Sequence, residues 1–199
     1  VLIRLHEEKP GHVQLVFAGD VMAGRRFFGD EDNPALVDPS NASEDLWELL
    51  KGIQPLFEHA DYRSVNLEGP LLNEGTPRPD RDITWKNPPE LAQALARAGV
   101  NVANIANNHI SDYSAQGIIA TINTLQQFDI LSLGAGTEFD SAWAGQSSFS
   151  QGNPVEMVSC AILYEDEAKA SIAATKDAPG VAECTVDDLR SAIIKARQQ

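Results

Sequence analysis

Asn107-Asn108-His109, with Asp112 three residues on, ends an apolar, β-prone run beginning at Val100. Parallel α/β sheets place their chemistry at this junction, just beyond the carboxyl end of a strand. Two earlier apolar runs end on acids: Val13–Ala18 leads into Gly19-Asp20, and Asp61–Leu67 leads into Glu68-Gly69-Pro70. Carboxylate and amide oxygens suit hard divalent cations, and imidazole adds the borderline metals. A carboxylate that bridges two ions can help activate a water and hold the oxygens of a phosphoryl displacement. Each group has a plainer reading as a turn residue or helix cap. Three successive strand ends with such groups favour a shared site. Arg25 and Arg26, soon after Asp20, are candidates to face an anionic substrate, and Asn107 is a further substrate-binding candidate.

The elements needed to position these groups follow from periodicity. Asn41–Glu44 resembles a capping box opening a helix through Leu50, and Ile53–Ala60 is a second short helical stretch. Asn87-Pro88-Pro89-Glu90 predicts a helix with Asn87 as cap, an apolar stripe of Leu91, Ala94, Leu95 and Ala98, and a stop at Gly99. Ser114–Phe128 predicts a helix with Ile118, Ile119, Ile122 and Leu125 on one face. Ile130–Leu133 reads as a fourth strand closed by Gly134-Ala135-Gly136, with a short helix to Ala144 beyond it. Pro154–Leu163 reads as a fifth strand, Tyr164–Gly180 as a loop, and Thr185–Asp188 caps a last amphipathic helix. Leu71–Asp82 is loop-like, and Trp85 packs or lines a cleft. Strand and helix alternate, which predicts an α/β fold with largely parallel strands. Residues 1–12 read as a linker or lead segment, including the solvated His6 and His12, and residues 13–199 as one domain.

Fifteen basic against twenty-nine acidic residues give a net charge of −14, which excludes phosphate-backbone binding to nucleic acid as a main function. No apolar run is long enough to cross a bilayer, so membrane contact would come through segments outside this sequence. Cys160 and Cys184 lack metal-site spacing; Cys160 reads as a buried thiol, with one disulfide the alternative for an exported protein.

Val16-Phe-Ala-Gly-Asp20-Val-Met22, Asn66-Leu-Glu68-Gly-Pro70, Ala106-Asn-Asn-His109 with Asp112, Leu133-Gly-Ala-Gly136 and Asp177-Ala-Pro-Gly-Val181 resemble, in order and context, the CapA proteins of poly-γ-glutamate capsule synthesis. These are similar in fold to calcineurin-like metallophosphoesterases. The resemblance implies a metallophosphoesterase-like sandwich of β-sheets flanked by helices, of which this chain is the N-terminal part. It implies Asp20, Glu68 and Asn108 as metal ligands, His109 as the non-ligand acid that protonates a leaving group, and Asp112 as its orienting partner. It implies divalent ions (Mn, Zn or Fe), two in the full-length protein. The implied ligand is a phosphoester or an anionic polymer, and the implied location is the cell envelope, anchored outside the cytoplasm. Two departures stand out. The first strand lacks the Asp-x-His ligand pair of the wider group, and no histidine follows His109, so the later His-Trp-Gly and Gly-His-x-His motifs are missing. Whether the whole protein is a metal-dependent hydrolase or a polymer-handling component stays open at this point. A chain lacking its later strands is expected to expose sheet edge, to self-associate, and to bind metal weakly or not at all.

Overall fold

β1 (Leu15–Val21), β2 (Tyr62–Leu67), β3 (Val102–Asn104) and β4 (Leu131–Leu133) form one parallel sheet in the order β1-β2-β3-β4. The computed structural model describes residues 11–29, 32–150, 153–163 and 172–198. The lead segment is therefore outside the described residues up to residue 10, as is the loop-like stretch over 164–171.

Helices fill the crossovers. α1 (Ala42–Leu50) and the single turn α2 (Gln54–Phe57) precede β2, α3 (Glu90–Arg97) precedes β3, and α4 (Ser114–Gln127) precedes β4. The predicted stripe of α3 is the buried one: Leu91, Ala94, Leu95 and Ala98 all lie in the core. Alanines on that face let α1 approach closely, and Ser43 Oγ donates to Gln93 Oε1 across the contact at 2.6 Å. On α4 the face is rotated from the expected one. Ile119 is exposed, and Thr121 is fully buried, where its hydroxyl donates to Gly117 O and accepts from Leu71 N–H. That pair of bonds satisfies a buried hydroxyl and an irregular backbone N–H together, which apolar periodicity does not register.

Two expected caps take other forms. Asn41 makes no side-chain cap bond and instead reaches Asp45, while α3 starts after Pro89 without a side-chain cap. Asn87 faces the core. Thr185 does cap the last helix, α6 (Val186–Ala196), by accepting from Asp188 N–H.

Beyond β4, the Gly-Ala-Gly closure is itself extended: β5 (Ala135–Gly136) pairs antiparallel with β8 (Gly180–Val181), next to the one-turn α5 (Phe139–Ala142). The expected fifth strand is shorter and antiparallel, with β7 (Asn153–Met157) pairing with β6 (Gln146–Ser150). Val155 and Met157 pack on Tyr62, Val102 and Leu133, so this ribbon covers part of the second face of the parallel sheet. Cys160 is not a free thiol; it is disulfide-bonded to Cys184, tying the segment after β7 to the start of α6.

β1 is one of the two edge strands, with Leu15 41% and Phe17 65% exposed, and α6 has no buried residue. Both present apolar side chains at the surface of the described residues. No helix among the described residues is long and apolar enough to cross a membrane. The mixed α/β architecture, with a four-stranded parallel sheet flanked by helices, agrees with part of a metallophosphoesterase-like domain.

Candidate functional site

The site is assembled by a slip in strand register. Phe17 pairs with Ser64, but Asp20, not Gly19, pairs with Asn66, so β1 carries an extra residue at Ala18-Gly19. Side chains alternate faces along a strand, and a one-residue shift moves everything beyond it to the other face. The bulge therefore brings Asp20 into one cross-strand row with Asn66 and, through the pairing of Asn66 with Asn104, with β3. Asp20 lies inside β1 rather than beyond its end.

That row is hydrogen-bonded. Asn66 Nδ2 donates to Asp20 Oδ1 at 2.7 Å and to Glu68 Oε2 at 2.7 Å. Asn66 Oδ1 in turn accepts from Asn104 Nδ2 at 3.1 Å and from Asn107 Nδ2 at 3.3 Å. Ser159 Oγ closes the row by donating to Asn104 Oδ1. Asp20 is exposed and Glu68 is buried. Burial pushes the Glu68 carboxyl above its ordinary value, against the stabilising Asn66 bond and the nearby His109, with Asp20 and Asp112 adding repulsion.

His109 and Asp112 form the second half. His109 Nδ1 lies 2.7 Å from Asp112 Oδ2, and Asp112 is 0% exposed. The same oxygen accepts the backbone N–H of Trp85 at 2.7 Å, so one carboxyl oxygen of Asp112 faces both the Trp85 amide and His109 Nδ1. The Trp85 indole stacks on His109, with centroids 4.1 Å apart and planes 13° apart.

The remaining predicted residues separate by role. Asn107 is buried with both ends of its amide on backbone: Nδ2 donates to Leu67 O, and Oδ1 accepts from Ile110 N–H and, at 3.4 Å, from Gly69 N–H. It clamps the end of β2 to the turn carrying His109 and is placed to build the site rather than to touch a substrate. Asn108 is exposed on that turn. Arg25 and Arg26 are exposed in a 3-10 turn over Arg25–Phe28, and among the described residues neither hydrogen-bonds to Asp20, Glu68 or His109.

Four contributors were not named as site residues from the sequence: Asn66, quoted there only within a motif, Asn87, read as a helix cap, Asn104 and Ser159. Asn87 is buried; its Oδ1 accepts Ala23 N–H at 2.6 Å, and its Nδ2 donates to Glu68 O at 2.9 Å. One amide thus ties the chain after β1 to the chain after β2. Beside it, Gly24 packs so tightly on the Lys86 carbonyl that an added Cβ would lie 2.3 Å from the oxygen. Gly69, between Glu68 and Pro70, takes φ +83°, which favours glycine.

Asp20 and Glu68 form an all-oxygen carboxylate pair held at one point, the donor chemistry of a hard divalent cation. No group of three or more His, Cys, Asp or Glu side chains that could hold a metal ion occurs among the described residues. His109, with Nδ1 engaged, offers only Nε2.

The family model for bacterial capsule synthesis protein PGA_cap matches residues 14–199. The chain is 30% identical over 152 residues to the capsule biosynthesis protein CapA of Bacillus anthracis, covering 75% of this chain and 36% of that protein. It is 26% identical over 166 residues to the PGA biosynthesis protein CapA of Bacillus subtilis (strain 168), covering 83% and 40%. A Mycobacterium tuberculosis protein named "probable polyglutamine synthesis accessory protein" is 28% identical over 122 residues, covering 61% and 32%. The matched regions thus span about two-fifths or less of these relatives' length. With the match running through the whole sheet and its acidic row, the chain belongs to the PGA_cap family of bacterial capsule synthesis proteins.

Proposed function

We propose that this protein serves bacterial capsule synthesis by acting on a poly-glutamate-type polymer or its phosphorylated precursor through a divalent-metal site. Asp20 and Glu68 would hold the ion, and Asn108 would add an amide oxygen from its exposed turn. The observation that carries the reading is the bulge-dependent meeting of Asp20 and Glu68 at one nitrogen, Asn66 Nδ2. When bound, such an ion supplies Lewis-acid polarisation and an acidified water. His109 would be the acid: Asp112, 2.7 Å from Nδ1, orients the ring, and Nε2 is the nitrogen that would give a proton to a leaving oxygen. Asp112 itself is too buried to meet a substrate.

A second reading has the same strand-end surface bind an anionic chain without hydrolysing it. The exposed Arg25 and Arg26, next in sequence to Gly24, favour it in a protein otherwise strongly acidic. The two readings part on one pair of experiments with Mn²⁺-loaded protein: hydrolysis of an aryl phosphate, and calorimetric titration with poly-γ-glutamate at low salt. Hydrolysis that falls by about 10²-fold or more in His109→Ala supports the enzyme. Polymer binding without hydrolysis, weakened in Arg25→Ala/Arg26→Ala, supports the binding protein. Neither hydrolysis nor binding refutes both.

A further inference from the structure

We propose that Trp85 is a positioning residue of this site, holding the His109 ring in one plane and in its Nδ1–H form. The inference rests on the role given above to His109.

Trp85 lies in the long connection between β2 and α3, outside any regular element. Long connections of this kind inside a compact domain are commonly functional. Two contacts from the one residue converge on the His109–Asp112 pair. Its backbone N–H fixes Asp112 Oδ2, the acceptor of the imidazole proton, and its indole lies flat on the imidazole itself. The first contact sets where the acceptor oxygen sits; the second restricts rotation of the ring about its Cβ–Cγ bond. Together they determine that Nδ1 is the engaged nitrogen and leave Nε2 for a reactant.

The loop around Trp85 is fixed on both sides. On one side the Asn87 amide is bonded to the backbone after β1 and after β2. On the other, Arg78 N–H donates to the Asp112 carbonyl at 2.8 Å. Gly69 lies directly behind Trp85, where an added Cβ would be 3.4 Å from Trp85 Cβ. An indole present only to fill space would not need the parallel stack on His109.

The test is proton and nitrogen NMR of the imidazoles in ¹⁵N-labelled protein without metal or substrate, with the exposed His59 as internal reference. In the wild type, the His109 ring protons are expected upfield of those of His59, with Nδ1 protonated and a low-field Nδ1–H resonance protected from solvent exchange. Trp85→Leu should lose the upfield displacement and broaden the Nδ1–H signal by exchange, and Trp85→Phe should restore both. A protected Nδ1–H that persists unchanged in Trp85→Leu, or a wild-type His109 protonated at Nε2, overturns the proposal. Should Trp85→Leu unfold by circular dichroism, the wild type and Trp85→Phe decide: matching protected signals support it, and loss of protection in Trp85→Phe overturns it. Because no metal or substrate is involved, failure here leaves cation binding at Asp20 and Glu68 standing, and failure of cation binding leaves these signals unchanged.

Discussion

Asp20 Oδ1 and Glu68 Oε2 each lie 2.7 Å from the same nitrogen, Asn66 Nδ2, so two carboxylates from different strands meet across one neutral donor. Like charges this close repel, and the amide protons between them are what the metal-free arrangement relies on. Asn66→Ala should therefore destabilise the metal-free protein by about 1–3 kcal/mol in urea unfolding, the cost of stranding a buried acceptor. Mn²⁺ should recover part of that loss. A variant as stable as the wild type would show that the shared donor contributes nothing.

The Glu68 carboxyl makes stability depend on pH. Burial raises its pKa in the folded protein above the ordinary 4.5, so the folded state holds the proton more tightly than the unfolded chain. Metal-free stability is therefore expected to fall as pH rises from 4.5 through the raised value, with the full penalty present above it. Glu68→Gln should stabilise the metal-free protein at neutral pH, and the gain should vanish below the ordinary carboxyl range. Parallel stability–pH curves for the two proteins would contradict this.

Asn87 links two strand ends with one buried amide. Asn87→Ala leaves Ala23 N–H and Glu68 O without their partner, and a loss of about 2–6 kcal/mol is expected at roughly 1–3 kcal/mol per stranded group. Equilibrium urea unfolding measures it. A change within about 0.5 kcal/mol, the range of ordinary surface substitutions, would remove Asn87 from the framework.

Cys160 and Cys184 close a loop with a sequence separation of 24. Loop-closure entropy predicts a stabilisation of about 3 kcal/mol that reduction removes. Urea midpoints with and without dithiothreitol, checked against the Cys160→Ser/Cys184→Ser double variant, test it. Identical midpoints would mean that the segment after β7 is held by packing alone.

The sheet and its helices were legible because periodicity is a local signal: the α3 stripe Leu91, Ala94, Leu95 and Ala98 was readable residue by residue and is buried as read. The candidate acids were legible for the same reason, as polar groups closing apolar runs. The bulge at Ala18-Gly19 was not, because register is a property of two strands and neither one encodes it alone. Asn87 looked like a cap because Asn before Pro-Pro-Glu is a helix signal, and only the tertiary fold directs its amide inward. Asn66 was read only as part of a motif and Trp85 only as packing or lining a cleft, since their site contacts depend on partners far away in sequence, Asp20 and His109. Thr121 shows the same limit on α4, where two hydrogen bonds outweigh the apolar stripe.

The measurement that bears most directly on the account is calorimetric titration of the metal-free protein with Mn²⁺, beside Asp20→Ala and Asn66→Ala. One ion bound per chain, abolished in Asp20→Ala and retained in Asn66→Ala, is the predicted result: the aspartate holds the ion, whereas the amide only separates the carboxylates in its absence. No binding to the wild type, or binding unchanged in Asp20→Ala, would contradict a metal site at the end of β1 and leave the acidic row a structural device.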